Sequence, residues 1–167
     1  NQRNKFSATL EFLQPNIEFV RIGYKAFATK KTEFNAAMSY VLNNAVGGVA
    51  PDFTVDYSNA LLSRGILSGV LNPMVNYENP GVVSFSWGDN SAEGNAGATD
   101  KAMVLVYNPD KKESAYILDG ATRTAGMQAV NLPGTYSGDT IEMFMAFVSA
   151  DGKQVSNSVY LGSGTAA

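Results

Sequence analysis

Apolar side chains recur at helical spacing through the first fifty residues and at alternate positions after that, so the chain reads as helices followed by strands. In residues 4–13, Phe6, Leu10 and Leu13 fall at i, i+4 and i+7, the stripe of a short amphipathic helix that Pro15 should stop. A second stripe, Ile17, Val20, Tyr24 and Phe27, follows Pro15 and Asn16 and is interrupted by Gly23. The third is the clearest. Thr32 stands where an N-cap belongs, Phe34, Ala37, Met38, Val41, Leu42 and Ala45 form one broad face, and Gly47–Gly48 has the composition of a C-cap. Two or three helices are expected, burying their stripes against one another or against a sheet.

After Pro51 the period shortens to two. Phe53, Val55 and Tyr57 alternate with Thr54 and Asp56, a half-buried strand, and a less regular β-like stretch over 60–71 has Gly65 and Gly69 as bulge candidates. Val83, Phe85 and Trp87 alternate with Ser84 and Ser86, while residues 102–107 are apolar throughout, as in a central strand. Short strands are expected over 115–118 and 127–132, the latter with Val130 and Leu132 on one face, and the longest over 141–148, turned by 150–153 into a hairpin with 155–161. Counted from Ile66 this makes about seven strands, the number of a Greek-key β-sandwich. The fold class is therefore α+β, with a helical segment over 1–50 and an antiparallel sandwich over 51–167.

Several stretches add a resemblance. Val83-Ser84-Phe85-Ser86-Trp87, Met103-Val104-Leu105-Val106-Tyr107, Leu132-Pro133-Gly134-Thr135 ahead of the 141–148 run, and Asp151-Gly152-Lys153 before a Ser-rich last strand together resemble a fibronectin type III (Ig-like) domain over roughly 60–162. The resemblance implies that Trp87 lies in the core. The Tyr that family places at the start of its sixth strand is absent, since Tyr136 comes too early and Thr140 sits near its place. Over nearly its whole length the chain also resembles a Bacteroidetes protein family of unknown function. That likeness is carried by Gln2-Arg3-Asn4-Lys5-Phe6, Phe34-Asn35-Ala36-Ala37-Met38-Ser39-Tyr40, Pro51-Asp52-Phe53-Thr54 and Asn157-Ser158-Val159-Tyr160-Leu161-Gly162. It implies no activity, and it implies a Gly-rich segment upstream of Asn1. The stretch Gln2 to Phe6 resembles the helix start of some phage tail-associated proteins.

Composition mostly removes chemistries. The chain has no Cys and no His, which excludes disulfides, thiolate and imidazole metal sites, and triads built on a His base. Net charge is −3, and apart from Lys30–Lys31 and Lys111–Lys112 the 12 cations are scattered, against a nucleic-acid-binding stripe. No apolar run approaches the ~20 residues a membrane span needs. Most acids, among them Asp110, Asp119, Asp139 and Asp151, sit in predicted turns, where a carboxylate ordinarily bonds neighbouring backbone.

One loop has metal-site spacing. Asp89, Ser91, Glu93, Gly94, Asn95 and Asp100 occupy positions 1, 3, 5, 6, 7 and 12 of a twelve-residue calcium loop, although Asp replaces the closing Glu and the flanks are strands; a plain solvated loop has the same composition. Calcium is the one cofactor to consider. Tyr107, Tyr116, Tyr136 and Tyr160 are candidates for stacking on a sugar, or are simply half-buried at sheet edges. Met127, Met143 and Met145 read as packing residues. The expectation is a non-enzymatic structural or adhesive module of a cell-surface, extracellular or virion-type assembly, with a protein partner or self-association, and with a segment upstream of Asn1 pairing with an exposed strand edge. The alternatives are a carbohydrate-binding module with a calcium-braced loop, and a hydrolase with two carboxylates of raised pKa in one cleft.

Overall fold

The computed structural model describes residues 4–167; Gln2 and Arg3, which carry part of two resemblances, lie outside the described residues. Helix α1 (Lys5–Leu13) starts at Asn4, whose Oδ1 accepts the Ser7 backbone N–H at 2.7 Å. Its buried face is Ala8, Thr9, Phe12 and Leu13; Phe6, expected on the apolar stripe, is 56% exposed. Pro15 does not end the helical run. It sits early in a 3-10 turn (Gln14–Asn16), where its missing N–H costs little, and the chain continues into α2 (Ile17–Gly23). The buried Asn16 Nδ2 supports this junction by donating to the Phe12 carbonyl at 2.8 Å.

Gly23 marks a close approach and not a defect, because a Cβ there would stand 2.3 Å from the Leu62 carbonyl oxygen. A second 3-10 turn (Lys25–Phe27) follows, and then α3 (Glu33–Asn44), capped by Thr32 Oγ1 accepting from the Asn35 N–H at 3.0 Å. The Gly47–Gly48 pair is not the C-cap. The helix ends at Ala45, and β1 (Val46–Gly47) pairs with β2 (Thr54–Val55) across a turn in which Gly48 takes φ +106°. The boundary between residues 50 and 51 thus lies between two strands that pair with each other.

Two antiparallel sheets make the sandwich. Strands β3 (Leu71–Asn76), β4 (Val82–Gly88) and β7 (Met127–Asn131) form the order β3-β4-β7. Strands β5 (Lys101–Asn108), β6 (Glu113–Ile117), β8 (Thr140–Val148) and β9 (Val159–Thr165) form the order β6-β5-β8-β9. Three strands against four in this connectivity is a fibronectin III-like arrangement. The first strand of the sandwich, β3, begins at Leu71, later than the 60–71 stretch predicted. Residues 60–70 are irregular and are fastened laterally instead: a Cβ on Gly65 would stand 2.1 Å from the Val155 carbonyl oxygen, and Leu67 N–H donates to that oxygen at 3.1 Å. The last hairpin is also interrupted. Residues 156–158 leave the ladder, and the hydroxyls of Ser156 and Ser158 accept the Phe147 and Leu62 N–H groups at 2.8 and 2.9 Å.

Continuous apolarity in β5 and β8 has a simple cause: their sheet is covered on both faces. Met103, Leu105, Tyr107, Phe144, Ala146 and Val148 pack with Phe12, Phe19, Val20, Met38 and Val41 of the helices. The alternate positions, Ala102, Val104, Val106, Ile141, Met143, Met145 and Phe147, pack with Val83, Phe85, Trp87 and Val130 of the three-stranded sheet. At ~1.5–3 kcal/mol for each fully buried large aliphatic or aromatic side chain, neither cover is dispensable. Trp87 is 7% exposed; its ring meets Phe147 edge-on at 5.5 Å, and its Nε1–H donates to the Arg123 carbonyl at 2.8 Å.

Phe12 touches the sheet through Tyr107 and Phe144, with ring centroids 5.3 and 6.0 Å away. Phe12→Ala should therefore cost about 3–5 kcal/mol in chemical denaturation. Far-UV ellipticity and Trp87 fluorescence should shift to the same new midpoint; separate midpoints would show that the helices are a removable appendage.

Candidate functional site

Arg123 is the best-connected polar residue in the sandwich, and its chain position explains why. The 3-10 turn Arg123–Ala125 delivers it to the mouth of the sandwich just before β7, where Gly126 at φ +79° redirects the chain. Its side chain is 0% exposed. The Nε and Nη2 groups both reach Asp100 Oδ2 at 2.9 Å, Nη1 donates to the Gly69 carbonyl and to Asn90 Oδ1 at 2.8 Å, and Nη2 donates to the Ser68 carbonyl at 2.8 Å. Its guanidinium also lies 4.1 Å over the Phe147 ring. One buried cation thereby fastens the 88–100 loop, the 68–69 segment and the core.

The five candidate calcium ligands fall in that loop, and their side chains serve separate partners. Asp100 faces Arg123 and also accepts the Gly97 N–H at 2.7 Å. Asn95 Oδ1 accepts from the Ser68 N–H and hydroxyl, while its Nδ2 donates to the Ile66 carbonyl. Asp89 Oδ1 accepts the Ser91 N–H at 2.9 Å, a bond that holds its carboxyl below the usual range, and Glu93 is exposed. Among the described residues no group of three or more acidic side chains is placed to share a metal ion. The spacing matches a calcium loop, but Asp89 is held by Ser91 within the loop, Asn95 by Ser68 and Ile66 outside it, and Asp100 by Arg123, which supplies a positive charge against the loop.

The four tyrosines do not form one exposed platform. Tyr107 and Tyr136 are 3% and 1% exposed, so their ring faces are closed to a sugar. Tyr116 and Tyr160 are half-buried against the helix-side core, whereas Tyr136 lies in the core between the sheets. Tyr136 does occupy the turn before β8, but its hydroxyl reaches Glu113 Oε1 at 3.4 Å and not the upstream backbone; burial pushes it up to about 12. Tyr160 donates to the buried Glu142 at 2.6 Å, and burial, with Glu142 second, raises its pKa.

A cleft of about 340 Å³ between α1 and the β2 region was missed from sequence, because Phe12, the Phe53 and Tyr57 pair, and Tyr107 come from three separate stretches. Glu11 is the one carboxylate among its lining residues, and it lies 3.5 Å from Lys112. Such a cleft can hold a planar apolar group, but an acid–base pair needs two carboxylates. The aspartates with displaced titration, Asp56, Asp89, Asp139 and Asp151, are all displaced downward. Hydrogen bonds from Ser58, from the Ser91 backbone, from Lys111 and from Ser149 respectively are the leading causes. A general acid requires the opposite shift.

Three comparisons bear on this geometry. A model described as "Family of unknown function (DUF6266)" matches residues 1–162. No curated protein matches. Among solved structures, the chain is similar to the solution structure of the fn3 domain of human collagen alpha-1(XX) chain, at 14% identity and a TM-score of 0.42, covering 60% of this chain and 85% of that one. The fold assignment rests on the strand order and not on that similarity.

Arg123→Met should cost about 3–5 kcal/mol, because it leaves the Asp100 carboxylate buried and unpaired; a loss below ~1 kcal/mol would contradict the role assigned to Arg123. Calcium at about 1 mM should leave the melting temperature where a chelator leaves it, and a rise of several degrees would show the loop re-forming around an ion. Stability should be flat from about pH 5 to 8, since no His titrates there. The depressed aspartates are charged above the ordinary carboxylate value, so their contribution is present at neutral pH and is lost as pH falls below about 4. The raised Tyr136 and Tyr160 favour the neutral phenol, so a second loss follows as pH rises above about 10. Thermal melts across pH check both limbs.

Proposed function

Because the chain belongs to the family of unknown function DUF6266, which names no activity, we propose from its surface that it is a non-enzymatic interaction module of a larger cell-surface or virion-type assembly. The observation that carries this reading is the outer face of the three-stranded sheet. In register across it stand Met74, Ser86 and Met127, then Asn76, Ser84 and Ala129, with Asn131 opposite Val82. None of these side chains is charged, and Met74 and Met127 are 68% and 60% exposed. Depletion of charge together with exposed methionines is the composition of an interface core, and a rigid sandwich behind the face limits the ordering cost of binding. The four-stranded sheet, by contrast, has spent both faces inside the molecule, one on the helices and one on its partner sheet.

The native particle purified from its source cells should weigh several times the 17.8 kDa of the chain, and Met74→Lys should release the chain from it without lowering the melting temperature. A monomer in both cases, or turnover of a substrate by the purified chain, would contradict the reading.

A further inference from the structure

A second surface, on the opposite layer of the fold, has a different chemistry. Arg64 lies half-buried where the irregular 60–70 segment passes the helices. Its guanidinium stands 4.3 Å over the Phe27 ring and 4.3 Å over the Tyr40 ring, so two aromatic walls hold its plane. Yet its side-chain N–H groups meet no acceptor among the described residues, and it forms no ion pair there. A guanidinium held in one plane with unfilled donors is preorganised for a carboxylate, which it takes through two parallel N–H···O bonds.

The surroundings repeat that preference. Phe27 is the shared wall of two grooves, one of about 320 Å³ running past Ile66 and Val155, the other of about 220 Å³ running past Tyr40 and Asn43. Lys25 and Lys153 line the first, Lys31 and Arg64 the second, and no carboxylate lines either. None of these four cations is in an ion pair among the described residues, although the chain as a whole carries a net charge of −3. The floor is apolar: Ile66 is 78% exposed and Phe27 37%. A third of the chain's 12 Lys and Arg thus line these two grooves, and the acid nearest in sequence to Lys153, Asp151, is occupied by the Ser149 hydroxyl and the Lys153 backbone N–H.

We infer that this face receives an acidic segment of a partner protein, with one carboxylate on the Arg64 fork, further carboxylates beside Lys25, Lys31 and Lys153, and an apolar side chain against Phe27 and Ile66. A peptide suits the site better than an anionic bilayer, because the guanidinium is recessed between two rings, where a single carboxylate reaches it and a flat headgroup layer does not. This goes beyond the assembly reading and uses none of the residues of the uncharged sheet face.

The test measures binding of the full chain to a fluorescently labelled peptide in which Asp and Glu alternate with Leu and Phe, to its Asn/Gln twin, and to phosphatidylserine vesicles. The acidic peptide should bind at least about tenfold more tightly than the twin, with an affinity that falls as salt rises. Arg64→Lys keeps the charge but removes the planar fork, and should weaken binding by about tenfold. Ile66→Ser and Lys153→Glu alter exposed side chains and should each weaken it too, with unchanged melting temperatures, while Met74→Lys on the other face should bind as the parent does. Equal binding of the acidic peptide and its twin, indifference to Arg64→Lys and Ile66→Ser, or tighter binding to the vesicles than to the peptide would overturn the inference.

Discussion

A sheet that is apolar on both faces must be covered twice, and that requirement organises this molecule. β5 and β8 pair along their length, Leu105 opposite Phe144 toward the helices and Val104 opposite Met145 toward the second sheet. A two-layer sandwich would have left Met103, Leu105, Phe144 and Ala146 in water. The helical segment removes that cost by lying across them, which makes the fold three layers deep, helices on sheet on sheet. The same coverage consumes the sheet face that would otherwise have been the larger open surface of the sandwich, and it displaces any binding role onto the three-stranded sheet and the helix side.

Electrostatics follow the same economy. The chain has few charges, and the most buried of them are used on each other at the rim of the inter-sheet core. Arg123 holds the carboxylate of Asp100, the carboxamide of Asn90 and two backbone carbonyls while stacking on Phe147, so a long polar loop is anchored to the hydrophobic core through one side chain. Lys111 and Asp139, joined at 2.9 Å, tie the turn after β5 to the entry of β8 in a more exposed way. Against this background Arg64 stands out, because its side chain has the aromatic packing of a structural arginine but, among the described residues, none of the hydrogen bonds.

Much of the architecture was legible in the sequence. Strict alternation over Val83, Phe85 and Trp87 marked a strand with one buried face, and the Thr32 cap marked the start of α3. What escaped has definite physical causes. The run over 141–148 is apolar at nearly every position, so it carries little information about which residues face which core. Pro15 reads as a stop unless the junction can become a 3-10 turn, and that depends on Asn16 bonding the Phe12 carbonyl. Two of the loop ligands spaced for calcium are held by residues far away in the chain: Arg123 is 23 positions from Asp100, and Ser68 is 27 from Asn95. Tyr107 and Tyr136 carry hydroxyls that suggest exposure, yet their rings are buried in different cores. The Arg64 site joins the turn after α2, helix α3 and the 60–70 segment, and no periodicity links those stretches.

The helices are accordingly a structural layer, and the two proposed interaction surfaces lie on the outside of a sealed block. Native-state hydrogen exchange resolved by residue tests this most directly. If the helical layer is integral, the slowest amides of α1 and α3 exchange only when those of β5 and β8 do, with the same free energy and the same denaturant dependence. Helix amides exchanging freely while β5 and β8 stay fully protected would show that the sandwich stands without its third layer, and would contradict the double coverage of the four-stranded sheet as the constraint that holds the molecule together.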